Sequence, residues 1–237
     1  MESNNKRVWY QEARSLKYIL HRQAWHMLSL LILVPITWFF AASSLDGNSW
    51  LGIKDSTWFW FAVGVPIVHQ VIVWIVFRLQ LGWVTLSKIF GDFDILVWGL
   101  LFIPLLVGRV ITLVGLANAN SNTLGFPEQV AKVLALPLII PALYTLWSVF
   151  RYFGLTRALG GDHFRISFRE MPLVKKGIFK WNSNSMYSFA FLLLWAIALL
   201  FDSKAALNVA VFQHIYIWVH YFCTEKPDME MIYGTKG

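Results

Sequence analysis

Two polar segments in the last third of the chain carry the residue types that could do chemistry. The first is basic and punctuated by glycine. It runs Arg157-Ala158-Leu159-Gly160-Gly161-Asp162-His163-Phe164-Arg165 and resumes at Lys175-Lys176-Gly177-Ile178-Phe179-Lys180-Trp181-Asn182-Ser183-Asn184-Ser185-Met186-Tyr187. Cationic side chains among flexible glycines suit phosphate or carboxylate groups. The second is a tail, Glu225-Lys226-Pro227-Asp228-Met229-Glu230, that follows an apolar run directly. Acids at such a junction can bond the hydroxyls or the amine of a polar cofactor.

Other chemistries find less support. The six histidines, His21, His26, His69, His163, His214 and His220, include no His-His or His-x-x-x-His pair. His214 and His220 are six residues apart, about 600° around a helix, so they face different sides. Haem ligation by His69 and His214 is the one arrangement the spacing leaves open; no metal centre is expected. There is no P-loop, no dinucleotide-binding glycine motif and no serine nucleophile elbow. Arg109 sits within an apolar run, where an ionisable residue is a functional candidate by default. Cys223 is the sole cysteine, so no internal disulfide can form.

The elements that must position these residues are membrane helices. The 237 residues are 57% hydrophobic and 14% charged, with mean hydropathy +0.56. A soluble domain carries about 25% charged residues, so this chain lacks the polar residues to cover a water-facing surface. Disorder, a coiled coil and a disulfide scaffold are excluded on the same grounds. Apolar stretches long enough to cross about 30 Å of hydrocarbon run over 23–45, 56–77, 95–117, 133–150 and 205–224, and a shorter one over 186–201. The reading is an all-α polytopic membrane protein with about six transmembrane helices, a C-terminal helical hairpin and a cytoplasmic cofactor site. It divides into a polar N-terminal segment (1–22), helices one to four (23–150) and a C-terminal region (151–237).

The net charge of +7 is read as topology and lipid contact rather than nucleic-acid binding, because the basic residues lie between the apolar runs. Lys and Arg number five in 1–22, two in 78–93, seven in 151–185 and two from Glu225 onward, whereas the other side holds only Lys54 and Lys204. Both termini are therefore expected in the cytoplasm, in a bacterial inner membrane or the endoplasmic reticulum. Residues 1–22 read as an amphipathic surface segment, with Trp9, Tyr10 and Tyr18 among Lys6, Arg7, Arg14, Lys17 and Arg22. Their polarity leaves no apolar core for a cleavable signal peptide.

From about residue 143 to 234 the chain resembles the membrane methyltransferases that include phosphatidylethanolamine N-methyltransferase and isoprenylcysteine carboxyl methyltransferase. Tyr152-Phe153-Gly154 matches a Tyr-Phe-Gly step of the phospholipid branch. Asn184-Ser185-Met186-Tyr187 keeps three of four residues of its Asn-Pro-Met-Tyr motif. Glu225-Lys226-Pro227 and Ile232-Tyr233 keep the spacing of its Glu-Glu-Pro and Ile-Tyr pairs, with lysine at the second acid. The Arg-His-Pro triplet of the carboxyl methyltransferase branch is replaced by Ser183-Asn184-Ser185, and the Gly-x-Gly expected near Leu143–Leu146 is missing.

The resemblance implies S-adenosylmethionine bound at the cytoplasmic end of the C-terminal helices and a lipidic acceptor arriving sideways from the bilayer, most simply a phospholipid amine. It assigns Glu225, Asn184, Tyr187 and Lys180 to the cofactor. Arg165 and Lys176 fall to a lipid phosphate or the cofactor's carboxylate, and His163 or Glu170 to the acceptor's proton. Two rival readings are an NADPH-dependent reductase of the steroid 5α-reductase type and a non-enzymatic haem- or lipid-binding membrane protein. The reductase pattern places a glutamate shortly after the tyrosine, and 188–192 offers none.

Overall fold

The computed structural model describes residues 10–234. Six helices form the bundle: α1 (Gln23–Ala42), α2 (Asp55–Trp83), α3 (Asp94–Ala119), α4 (Glu128–Ser148), α5 (Leu192–Leu200) and α6 (Lys204–His220). After a π-helical turn at Tyr221–Glu225, α6 continues as α7 (Lys226–Tyr233). A two-stranded hairpin, β1 (Ser49–Trp50) and β2 (Ile53–Lys54), caps the loop between α1 and α2.

Four helical stretches are long and apolar enough to cross a membrane: Leu16–Ala42, Asp55–Trp83, Thr85–Ala119 and Gln129–Phe153. Their outer faces expose Leu31, Phe39, Leu100, Ile140 and Phe150, as suits a surface solvated by lipid tails rather than water. The chain is thus a helical integral membrane protein. The expected fifth and sixth spans are shorter here, Met186–Leu200 and α6. The polarity of α6 has a structural cause: it packs against α1, α2, α3 and α5 and buries Gln213 and His220 among them. A helix surrounded by other helices need not be apolar all round.

Both helices nevertheless run between the same two ends of the bundle as the other four. The turn joining them packs on the α3–α4 loop, where Asn122, Thr123 and Leu124 donate backbone hydrogen bonds to Phe201 and Asp202. Asn120 ties that far end together. Its Nδ2 donates to the Ser44 carbonyl, and its Oδ1 accepts from Ser203 Oγ (2.9 Å), Thr123 Oγ1 (2.8 Å) and the Ala205 amide (3.1 Å). Lys204 reaches Ser43 Oγ at 3.0 Å on the same end. The segments around residues 10–22, 78–94, 154–170 and 221–234 meet at the other end, through contacts such as Tyr10 N–H to Leu81 C=O (3.0 Å) and Tyr10 Oη to Ile232 C=O (3.2 Å). Within the described residues, the segments counted as basic and those counted as poor in Lys and Arg do fall at opposite ends. Lys6, Arg7 and Trp9 of the polar N-terminal segment lie outside the described residues.

The prolines create a specific need inside the bundle. Pro66 has no N–H, so the Ala62 carbonyl one turn earlier has no intrahelical donor. Gln213 Nε2 of α6 donates to it at 3.0 Å, a neighbouring helix re-satisfying a proline-freed carbonyl. Pro227 likewise frees the Cys223 carbonyl, which accepts from Gln23 Nε2 (3.1 Å) and Arg78 Nη2 (3.3 Å). Close approach is set elsewhere by glycine: a Cβ at Gly115 of α3 would lie 2.5 Å from the Trp58 ring of α2.

Replacing Gln213 by Leu should lower stability by about 1–3 kcal/mol through the stranded carbonyl. The double variant Pro66→Ala/Gln213→Leu regains an intrahelical donor and should recover part of that loss. Thermal unfolding in detergent reads both; a double variant no more stable than Gln213→Leu would contradict the assignment.

Candidate functional site

The sequence-predicted residues Tyr187 and Glu225 lie 38 positions apart in the chain and meet at the end of the bundle that gathers the basic segments. The Tyr187 hydroxyl donates to Glu225 Oε2. Each residue sits in a π-helical turn, Met186–Ala190 opening α5 and Tyr221–Glu225 closing α6. Such turns re-aim side chains and recur at functional sites. His220, one turn before Glu225, brings its Nε2 to 3.6 Å from Oε1. Tyr187 also packs against Trp218 and Tyr221. Burial pushes the Glu225 carboxyl above its ordinary pKa, and the hydrogen bond from Tyr187 pulls partly against this.

Asn184 stands one turn before Tyr187. Its backbone carbonyl accepts from the Tyr187 and Ser188 amides, and its own amide donates to Asn182 Oδ1 at 2.8 Å. In the structure Asn184 therefore fixes the start of the helix that carries Tyr187. Lys176 and Lys180 are exposed in the loop that precedes the Met186–Ala190 turn.

Other predicted residues are held in a second, deeper cluster. Asp228 is fully buried and accepts from Tyr18 Oη at 2.7 Å, while Arg78 Nε lies 2.6 Å from Oδ1 and His163 Nε2 3.3 Å from Oδ2. Arg78 also donates to the carbonyls of Tyr18, Cys223 and Thr224, and its guanidinium lies 4.3 Å from the centre of the Tyr18 ring. His163 stacks on Phe77 at 3.8 Å between ring centres. Gly160 makes room for this stack, with φ at +83° and a would-be Cβ only 2.3 Å from Phe77 Cζ. Arg165 forms a two-point ion pair with Asp94 at 2.6 and 2.7 Å. Glu170 is exposed at the end of the short helix Ile166–Arg169. The structure thus brings Tyr187 and Glu225 together, with Asn184 bonded only within its own turn. It packs His163 and Arg165 into buried ion pairs, and leaves Glu170 at the surface.

Arg78, Tyr18 and His220 are the participants that the sequence reading did not single out. A signal existed for Arg78, an arginine at the end of a long apolar run, but it read equally well as a topological charge. Arg109 is 2% exposed and turns into the bundle rather than toward the surface, with its guanidinium 5.6 Å from the centre of the Phe191 ring.

Removing one partner of a buried ion pair costs about 3–5 kcal/mol, because the other charge is left unpaired. Arg78→Met should therefore destabilise the protein by about that amount. Arg78→Met/Asp228→Leu should be less harmful than the sum of its parts. Strictly additive losses in unfolding experiments would show that the pair is not coupled.

No curated protein and no solved structure matches the chain. A family match covers the region that supplies Asn184, Tyr187 and Glu225. Residues 130–236, a little under half of the chain, match the family model described as phospholipid methyltransferase.

Proposed function

We propose that this membrane protein transfers a methyl group from S-adenosylmethionine to a lipidic acceptor, most simply the amine headgroup of a phospholipid. The observation that carries the reading is the meeting of Tyr187 and Glu225 inside the family-matched region. Glu225 suits such a donor because the groups nearest its carboxylate, Tyr187 and His220, supply no fixed positive charge. A carboxylate so placed can accept from ribose hydroxyls or from the donor's ammonium group. Its partial exposure, 22% for the side chain, gives the ligand a way to reach it.

S-adenosylmethionine, when bound, supplies a methyl group activated by its sulfonium. The chain's own work is then alignment and exclusion of water. Glu225 holds the polar end of the donor, and Tyr187 exchanges its bond to Glu225 for one to the ligand. Asn184 sets the turn from which Tyr187 projects. Lys180 is assigned to the donor's carboxylate and Lys176 to a lipid phosphate, both from exposed positions in the loop before Met186. An ammonium headgroup must lose a proton before it can attack. Glu170, exposed on the same basic segment, can take that proton directly, and His163 can do so only by leaving Asp228. Arg165 would have to share its guanidinium with Asp94 to hold a phosphate. On this reading both termini face the cytosol, where the donor is made.

Incubation with radiolabelled methyl donor and total membrane lipid should label one class of amine-bearing phospholipid; label in no lipid would overturn the assignment. Glu225→Ala should weaken binding of S-adenosylhomocysteine by about tenfold or more, the worth of a charge-assisted hydrogen bond, while leaving the protein folded. The ionised carboxylate is the binding form, and its pKa is raised. Affinity should therefore fall with decreasing pH, beginning at a higher pH than an ordinary glutamate would give. Glu225→Gln should remove this acid limb from a titration followed by calorimetry. An unchanged limb would assign the titration to another group.

A further inference from the structure

The methyl-transfer reading leaves a set of polar side chains in the middle of the bundle unused. His69, Gln70, Arg109, Gln213 and His220 are each at most 3% exposed. His69 lies nine residues from Arg78 along α2, about 13 Å at 1.5 Å per residue. These groups are well inside the apolar part of the molecule, where polar side chains without partners are costly.

Their hydrogen-bonding state is lopsided. Arg109 makes a single long bond, Nη2 to the Pro66 carbonyl at 3.5 Å, and its Nε makes none. Among the described residues no carboxylate pairs with Arg109. Both ring nitrogens of His69, the Nε2 of Gln70 and both ring nitrogens of His220 make no hydrogen bond, the 3.6 Å approach of His220 to Glu225 apart. A neutral imidazole offers one donor and one acceptor nitrogen, so the unpartnered groups set N–H donors of Arg109, Gln70 and both histidines against one nitrogen of each histidine and Gln213 Oε1. Arg109 lies within electrostatic range of His69, His220 and Tyr187, so the set is continuous with the Tyr187–Glu225 pair.

A buried guanidinium without a counter-charge, with further unpartnered N–H donors in the same interior, is complementary to a group with several acceptor oxygens and a negative charge. The planar fork of arginine fits phosphate and carboxylate in two-point fashion. We propose that the bundle interior is an oxyanion site in which Arg109, with His69, Gln70 and His220 as additional donors, holds a phosphate or carboxylate group. The oxyanion follows from the donor set alone. Its assignment to the acceptor lipid's phosphate or to the methyl donor's carboxylate rests on the methyl-transfer reading.

The test uses the full chain in detergent, in phosphate-free buffer, with binding followed by intrinsic tryptophan fluorescence. One arm compares short-chain phosphatidic acid with the matching diacylglycerol, which lacks phosphate. The other compares S-adenosylhomocysteine with 5′-methylthioadenosine, which lacks the carboxylate and amine. Arg109→Gln should weaken phosphatidic acid by about 10- to 100-fold and leave diacylglycerol unchanged if the phosphate is bound. The same loss confined to S-adenosylhomocysteine identifies the carboxylate. Equal affinities of wild type and variant for both anions would overturn the proposal and would mean that the interior holds only water. Should Arg109→Gln not fold, Gln70→Met removes one donor nitrogen at similar volume and should weaken the same anion; no change overturns the proposal equally. The phosphatidic acid arm contains no methyl donor, so its outcome is independent of whether any lipid is methylated.

Discussion

The ion pair between Arg78 and Asp228 is the constraint around which the rest of the molecule is arranged. It joins the end of α2 to the start of α7, 150 positions apart, with both side chains fully buried. A lone charge at this depth would cost several kcal/mol, so each residue requires the other. Tyr18 from the N-terminal segment and His163 from the basic loop complete the cluster. Four distant parts of the sequence are thereby fixed in one place. The π-helical turn that presents Glu225 lies directly beside it, its carbonyls at Cys223 and Thr224 held by the same guanidinium.

Backbone satisfaction is the second organising rule. Lipid offers no hydrogen bonds, so every carbonyl released by a proline or a π-helical turn must find a donor within the protein. Gln213 serves Ala62, Gln23 and Arg78 serve Cys223, and Arg22 serves Phe222 at 3.0 Å. These side chains would look expensive in a membrane helix if counted one at a time. They are the means by which the Ala62, Phe222 and Cys223 carbonyls keep a donor. The irregular turns in turn let Tyr187 and Glu225 face each other across the helical hairpin, which uninterrupted α-helical geometry would place differently.

Against that pattern, the groups around Arg109 have little to bond: one long contact to the Pro66 carbonyl and no carboxylate partner among the described residues. The far end, tied by Asn120, satisfies its groups within the loops it joins. The polar groups around Arg109 are not so satisfied, and they lie near the pair that the family-matched region brings together.

Hydropathy made the helical membrane class, four of the helices and the grouping of basic segments at one end legible from the sequence, because transfer of a side chain into hydrocarbon depends chiefly on its own chemistry. The C-terminal region that holds Asn184, Tyr187 and Glu225 was legible as the part resembling the membrane methyltransferases, and the family match falls on it. Which polar residues pair was not legible. Arg78 reads the same in sequence whether it marks a loop or bonds Asp228, and His163 looks equally suited to an open site and to the buried stack on Phe77. The weak apolarity of α6 was similarly ambiguous until its packing showed that other helices, not lipid, surround it. Partner choice is a property of three-dimensional proximity between segments distant in the chain, and the tertiary structure alone decides it.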